Sequence, residues 1–174
     1  MKSLLVLSVF SLLLTCDTAI NPALQRAGIG NNGSPVSIDD ISAQAVLDEV
    51  NALRARGCKC PNSRYSPPAP PLHWEEKLEQ AAQSHADDMY RGRYFDHNSA
   101  DGTSFSDRIS RAGYRWSAVG ENIAKGQPTA RAVVHAWANS KGHCLNMMNA
   151  KFDDMGVGKT GPYWVQDFGA RKED

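Results

Sequence analysis

Ser140 and His143 place a hydroxyl nucleophile and an imidazole base three residues apart, beside a predicted helix end. With Glu121 to orient the imidazole, these are the residue types of a serine hydrolase. Two features argue against that chemistry. A separation of three residues at a helix terminus seldom gives nucleophile–base geometry, and the sequence has no G-x-S-x-G elbow. Hydrolase activity on a peptide or ester is therefore an alternative hypothesis rather than the main prediction.

The cysteines offer a second kind of chemistry. Beyond Cys16, the chain has Cys58, Cys60 and Cys144. In an oxidising compartment one pair should form a disulfide. A Cys58–Cys60 bridge would close a strained tight loop, so Cys144 is expected to pair with either of the two, leaving one cysteine free or paired between chains. A zinc site is also suggested by C-x-C with histidine nearby, but a second cysteine pair is missing from the sequence.

The N-terminal residues predict export. One basic residue is followed by an apolar run from Leu4 to Leu14, which suits a signal peptide over residues 1–18 and is too short to span a bilayer. The residues before Cys16 partly resemble a lipobox, although Thr15 is unusual there, so Cys16 is a candidate lipid anchor. Residues 19–38 are rich in glycine and proline and predict a flexible linker. The protein is expected to be secreted or held in the bacterial cell envelope.

Composition and periodicity indicate one domain over residues 39–170. The 19 basic and 19 acidic residues are not segregated into a basic face, which argues against a nucleic-acid partner. We expect a monomer of the α+β class whose strands form an antiparallel sheet. The patterns predict helices over about 39–56 and 74–91, a short helix capped by Ser104 and Asp107, a helix from Pro128 to Gly142, and strands over about 118–126, 155–160 and 163–168.

Five motifs occur in a fixed order along this domain. They are F-x-H-x-x-x-D-G over 95–102, G-E-N-I-A over 120–124, W-x-x-S-x-G-H over 137–143, G-V-G over 156–158 and Y-W-V-Q over 163–166. Together they resemble the bacterial branch of the CAP superfamily (cysteine-rich secretory protein, antigen 5, pathogenesis-related; SCP-like). The resemblance covers Ile41 to Gly169. It implies an α-β-α sandwich with a small antiparallel sheet between helical layers.

The resemblance also implies a cleft lined by two histidines and two acids. His97, His143 and Glu121 match three of these positions, and Ser140 occupies the fourth, so one carboxylate is missing. Two imidazoles and a carboxylate suit zinc or another divalent metal, bound weakly, with Glu121 as a ligand or as a proton acceptor. The alternative is that the three residues form a buried hydrogen-bonded cluster without metal.

Further residues follow from the same comparison and from their positions. Ser140, Asn146 and Gln166 are expected to line the cleft, the last two chiefly by satisfying backbone groups. The resemblance favours a Cys60–Cys144 disulfide over Cys58–Cys144. Among the other predicted sites, His85 is expected in the core, His73 and His135 at the surface, and Asn122 on the sheet face opposite Glu121.

The resemblance implies a non-enzymatic extracellular binding module for a lipid, a sterol or a cell-envelope component. A metal-assisted hydrolase using His97, His143 and Glu121 is the alternative from a different class. A third hypothesis is a structural envelope protein with a vestigial cleft. The sequence names no ligand.

Overall fold

The computed structural model describes residues 43–172. Its helices are α1 (Ala43–Arg56), α2 (Glu76–Gly92), α3 (Phe105–Arg111), α4 (Ala130–Ala138) and α5 (Lys141–Met147). Its strands are β1 (Cys58–Lys59), β2 (Tyr65–Ser66), β3 (His73–Trp74), β4 (Trp116–Lys125), β5 (Asp154–Thr160) and β6 (Tyr163–Arg171). The predicted signal peptide, the candidate anchor Cys16 and the linker lie outside these residues. Within residues 43–172, no helix has the length and apolar content needed to cross a membrane.

The main sheet has the strand order β3-β5-β6-β4. Strands β5, β6 and β4 are antiparallel neighbours, as the sequence predicts. The two-residue strand β3 was not predicted, and it pairs with β5 in parallel. Strand β4 forms one edge of this sheet, and its 116–125 span is longer than the predicted strand.

Helices cover both faces of the sheet, which confirms the α+β class and the α-β-α sandwich. On one face Met155, Trp164 and Phe168 pack in a cluster with side chains of α1, α4 and α5. On the other face Ile123 and Val165 pack against α2. Neighbouring residues of β6 therefore alternate between two buried faces, which explains why the strand is apolar along most of its length.

Helix α2 lies unusually close to β5 because β5 carries glycine at two alternate positions. A Cβ atom on Gly156 would overlap the backbone nitrogen of Glu79, and one on Gly158 would overlap the backbone of Gln83. The G-V-G motif is thus a packing surface for a helix backbone. This contact fixes the distance between α2 and the sheet.

The helix predicted from Pro128 to Gly142 is wrong in its second half. Helix α4 ends at Ala138, Ser140 is extended, and Gly142 lies inside a separate helix, α5. The break redirects the chain so that α5 crosses beside β4 and Cys144 enters the core. Gly142 has no positive φ, so it does not act as the predicted helix stop.

Cys60 and Cys144 form a disulfide, as the resemblance favoured. The Cys58 sulfur lies 3.6 Å from that of Cys144 and 3.9 Å from that of Cys60. Among the described residues no cysteine is free, so the expected leftover thiol is not found there. The disulfide attaches the residue after His143 to the segment that follows α1.

Arg54 of α1 also connects the segment that follows α1 to the end of α5. Its side chain is fully buried and donates to the carbonyl oxygens of Pro70, Met147, Asn149 and Phe152. Burial lowers the pKa of the Arg54 guanidinium, and the nearby Asp153 carboxylate partly opposes that effect. The proline-rich segment and the end of α5 are therefore held by one cation.

Candidate functional site

The candidate site lies at the edge strand β4, where two neighbouring polar side chains project to opposite faces. Glu121 faces the side of the sheet covered by α2 and α3, and Asn122 faces the side covered by α5. The prediction that Asn122 points away from Glu121 and fixes a neighbouring segment is therefore correct. Each of the two residues holds a different histidine-bearing segment.

Glu121 orients His97. The Nδ1 atom of His97 lies 2.7 Å from Oε1 of Glu121, whose side chain is fully buried, while the His97 side chain is 48% exposed. The hydrogen bond to Glu121 raises the pKa of His97, and burial opposes this rise. With Nδ1 as the donor, Nε2 keeps its lone pair in the neutral ring and has no hydrogen-bond partner among residues 43–172.

The second carboxylate oxygen of Glu121 accepts a hydrogen bond from Arg108. Nη2 of Arg108 lies 2.7 Å from Oε2 of Glu121 and donates also to the carbonyl oxygen of His97. Its Nη1 donates to Ser99 and to the carbonyl oxygen of Thr103. Arg108 thus fixes the loop that carries His97. The Glu121 side chain is fully buried behind the His97 ring, so Glu121 acts as a positioning residue for His97, and direct metal ligation by Glu121 stays a prediction.

His143 enters the site from the other side of β4. It is half-buried in α5, and its carbonyl oxygen accepts a hydrogen bond from Nδ2 of Asn122 at 3.2 Å. Burial lowers the pKa of His143, and the charge of the nearby His97 lowers it further. The imidazole of His143 is therefore neutral near physiological pH, the form that binds metals.

Asn146 and Gln166 form the support beneath α5. Nδ2 of Asn146 donates to the Glu121 carbonyl and to Oδ1 of Asn122, and Nδ2 of Asn122 donates to Oε1 of Gln166 at 3.0 Å. Gln166 is fully buried and bonds to the side chains of Asn122 and Met155, so it neither lines the cleft nor satisfies backbone groups as predicted. Asn146 satisfies the backbone of the edge strand, which agrees with the backbone role that we favoured for it.

The contacts do not assemble the alternative triad. Ser140 is the N-cap residue of α5 and its side chain makes no capping hydrogen bond. Within the described part of the chain, no hydrogen bond joins Ser140 to His143, and Glu121 is bonded to His97 instead of His143. Ser140 thus has neither the base nor the oriented base that nucleophilic activation requires.

Two residues behind Glu121, Arg108 and Asp167, were not predicted as part of the site. Arg108 lies outside the five sequence motifs, and only the packing of α3 beside β4 brings it to Glu121. Asp167 lies opposite Glu121 on β6 and is fully buried. The alternation along β6, which puts residue 167 on the same face as Val165, would have marked Asp167 as an acid in an apolar row. His85 is in the core as predicted, with Nε2 at 2.8 Å from the Asp96 carbonyl oxygen.

The side chains at the cleft that could ligate a divalent metal are the imidazoles of His97 and His143. His97 offers Nε2 and His143 offers an imidazole, whereas the Glu121 carboxylate is buried behind the His97 ring. Among residues 43–172, the only group of three potential ligand atoms within 4.8 Å of one another is the sulfur cluster of Cys58, Cys60 and Cys144, which contains the disulfide. The histidines therefore do not form a closed three-ligand cage of the structural-zinc type.

The architecture and the site define an α-β-α sandwich with a histidine–carboxylate cleft at the sheet edge. The model of the cysteine-rich secretory protein family (CAP) matches residues 47–168. The chain belongs to this family, which confirms the resemblance to bacterial CAP/SCP-like proteins.

Individual bacterial proteins are similar to this chain. The uncharacterized protein YkwD of Bacillus subtilis is 42% identical over 100 residues, covering 56% of this chain and 39% of the relative. The structure of an extracellular protein containing an SCP domain from Bacillus anthracis is 30% identical with a TM-score of 0.66, covering 74% of this chain and 40% of that one. An outer surface protein of Borrelia burgdorferi is 25% identical with a TM-score of 0.62, covering 74% and 92%.

This chain spans about two fifths of the length of the Bacillus proteins that it matches. The likeness therefore concerns their CAP domain, and it carries nothing about the rest of those proteins.

Proposed function

We propose that this protein is a secreted or envelope-anchored binding protein whose cleft holds a divalent metal between His97 and His143. The observation that carries the proposal is the hydrogen bond between His97 Nδ1 and the buried Glu121. A carboxylate behind a histidine fixes the ring tautomer and raises the basicity of the other nitrogen, and this arrangement is usual behind metal-bound histidines. His143 supports the proposal because burial favours its neutral form.

The chemistry of the two ligands predicts weak and pH-dependent binding. Two protein nitrogens are fewer than the three or four that tight zinc sites use. A proton on either imidazole competes with the metal, so affinity should fall as pH falls. A bound divalent ion would supply a positive anchor for an anionic or carbonyl group of a ligand, while Glu121 and Arg108 would keep His97 in place.

Calorimetric titration of zinc into the metal-free protein near neutral pH tests the proposal. The unmutated protein should release or absorb heat, and the double variant His97→Ala with His143→Ala should show none. His135→Ala is the matched control, because His135 is exposed on α4 and its polar contacts are with Asn139 of its own helix end. An unmutated protein that gives no heat of zinc binding would remove the proposal.

The extracellular location is part of the proposal. It is supported by the Bacillus anthracis protein, which is described as extracellular, and by the Borrelia protein, which is described as an outer surface protein. The apolar segment from Leu4 to Leu14 supports it independently. Expression of the full chain in a bacterial host with labelled palmitate separates the two routes: label on the protein that is lost in Cys16→Ala indicates a lipid anchor, and unlabelled protein in the medium indicates plain secretion.

A lipid, a sterol or an envelope component stays a proposal for the ligand. A groove between α1 and α4 is lined by Ala45, Ala52 and Ala130 together with the charged residues Asp48, Glu49 and Arg131. Small apolar side chains beside the cation of Arg131 would suit a fatty-acid chain and its carboxylate. A thermal-shift panel of fatty acids, sterols and cell-wall fragments, with and without zinc, tests this, and an ester and peptide panel with zinc or chelator tests the hydrolase alternative.

A further inference from the structure

We infer that Asp167 is a neutral carboxylic acid that donates its hydrogen bond to Glu121 and is a further positioning residue of the His97 site. The protonation of Asp167 follows from its burial beside Glu121 and does not depend on a metal. Its role in metal binding rests on the proposed function.

The sheet register places the two acids side by side. Glu121 of β4 and Asp167 of β6 are directly opposite in the antiparallel pair. Directly opposite residues share a face of the sheet, with side chains in contact range. Asp167 is fully buried, and so is the Glu121 side chain. Two negative charges at such a position would repel each other in a medium that screens them little.

Hydrogen-bond donors are divided unequally between the two acids. Glu121 receives one donor on each oxygen, from His97 and from Arg108. Neither oxygen of Asp167 receives a hydrogen bond from any residue between 43 and 172. An ionised carboxylate without a donor is among the most costly groups to bury, whereas a protonated one carries its own donor. The proton therefore belongs on Asp167, and the ionised Glu121 accepts a hydrogen bond from it.

The charges around Asp167 agree with this assignment. Among the cations of residues 43–172, Arg108 of α3 acts on Asp167, and the Nη atoms of Arg108 are bonded to Glu121 and to the 97–103 loop. From α2, His85 is fully buried with a lowered pKa, so it adds no positive charge. From β5, the opposite residue is Gly156, which has no side chain. Burial and the charge of Glu121 both raise the pKa of Asp167, and Arg108 opposes them only in part.

The consequence for the site is that Glu121 stays ionised and fully bonded. With Asp167 as a third donor, the carboxylate is fixed from the sheet side, from α3 and from the His97 loop. Its charge remains available to hold the Nδ1 proton of His97. Asp167 thus acts on a metal only through Glu121 and His97, and does not touch it.

Carbon-13 NMR of aspartate carboxyl groups tests the protonation directly, in the metal-free protein. Asp167→Asn identifies the resonance by its disappearance. We expect the Asp167 carboxyl carbon to stay at the protonated chemical shift near neutral pH, while the other aspartates have already ionised. A resonance at the ionised shift near neutral pH would overturn the inference. The comparison needs only the unmutated protein and one isosteric variant.

A matched pair of variants tests the role. Asp154 of β5 is also buried, but it accepts bonds from Tyr114 and Arg171, as an ionised acid does. Asp167→Asn keeps a donor toward Glu121, so it should not destabilise the protein near neutral pH and should leave the His97 NMR titration unchanged, whereas Asp154→Asn should destabilise. Destabilisation by Asp167→Asn equal to that by Asp154→Asn would contradict the assignment.

Zinc titration then links the residue to the proposed function. Asp167→Ala removes the donor and should weaken zinc binding by about tenfold, and Asp167→Asn should restore it. Equal affinity in all three proteins would refute the positioning role. If the unmutated protein binds no zinc, the proposed function fails, while the carboxyl resonance still decides where the proton is.

Discussion

The Nδ1 atom of His97 and the Oε1 atom of Glu121 are 2.7 Å apart, and the carboxylate is completely buried while the imidazole is half exposed. The pair joins a solvent-accessible ring to an anion that the solvent cannot reach. Arg108 neutralises that anion from behind. The half-exposed ring of His97 is consequently the part of this network that a ligand can contact.

Removing the charge of Glu121 should lower the pKa of His97. Glu121→Gln keeps an oxygen acceptor for Nδ1 but no longer stabilises the protonated ring, whose pKa the carboxylate raises in the native protein. NMR titration of the His97 ring protons measures this shift, and zinc affinity should fall by about tenfold in parallel. Glu76→Gln, at an exposed position of α2, is the control. An unshifted His97 midpoint in Glu121→Gln would refute the assigned contact.

The free energy of unfolding should depend on pH because of the buried Asp167. Its pKa is raised in the folded state, so the folded protein binds this proton more tightly than the unfolded chain does. Stability from this group is full below the unfolded pKa of about 3.9 and declines as pH rises toward the folded pKa, by at most about 1.4 kcal/mol per pH unit. Asp167→Asn has no such proton.

Denaturant unfolding across this pH range, in the unmutated protein and in Asp167→Asn, measures the effect. The free energy of unfolding of Asp167→Asn minus that of the unmutated protein should increase as pH rises. A difference that is constant with pH, or that shrinks, would contradict the prediction.

The Cys60–Cys144 disulfide should contribute strongly to stability. It closes a separation of 84 residues, for which the chain-entropy model gives about 4.5 kcal/mol as an upper figure. The double variant Cys60→Ala with Cys144→Ala should therefore unfold at lower denaturant concentration, with a loss of about 2–5 kcal/mol. Non-reducing peptide mapping checks the pairing itself, and recovery of the Cys144 peptide only as a free thiol would exclude it.

Gly156 should be intolerant of even one methyl group. Gly156→Ala would drive a Cβ atom into the backbone of α2 at Leu78 and Glu79, and neither backbone can move without displacing the sheet or the helix. We expect a loss of about 3 kcal/mol or more in the free energy of unfolding. Gly142→Ala is the contrasting control: it has open space around it, lies in α5, and should gain up to about 1 kcal/mol. Thermal unfolding of both variants checks the contrast.

The parts of the fold that follow from local pattern were predictable. Helix α2 and strands β5 and β6 appear with ends within two or three residues of the predicted ones, because apolar periodicity determines which face each buries. The capping box of α3 was also predictable from local sequence, because Ser104 and Asp107 are three residues apart and bond to each other.

The parts that depend on distant partners were not predictable. The break between α4 and α5 lets α5 bond to Cys60 and Arg54, and both of these residues lie more than 80 positions earlier in the chain. Strand β3 is too short to show any alternation. The role of Glu121 changed for a similar reason: the bond from Arg108 depends on how α3 packs beside β4, and spacing alone does not reveal it.

Two polar pairs cross from β4 to β6 at consecutive positions, Glu121 with Asp167 on one face and Asn122 with Gln166 on the other. A slip of one residue between these strands would put a carboxyl group beneath α5 and an amide behind His97, leaving both mismatched. The same four side chains therefore support the cleft and also specify the register between β4 and β6. Deleting any of them risks misassembly as well as loss of binding, so near-isosteric replacements are the informative ones.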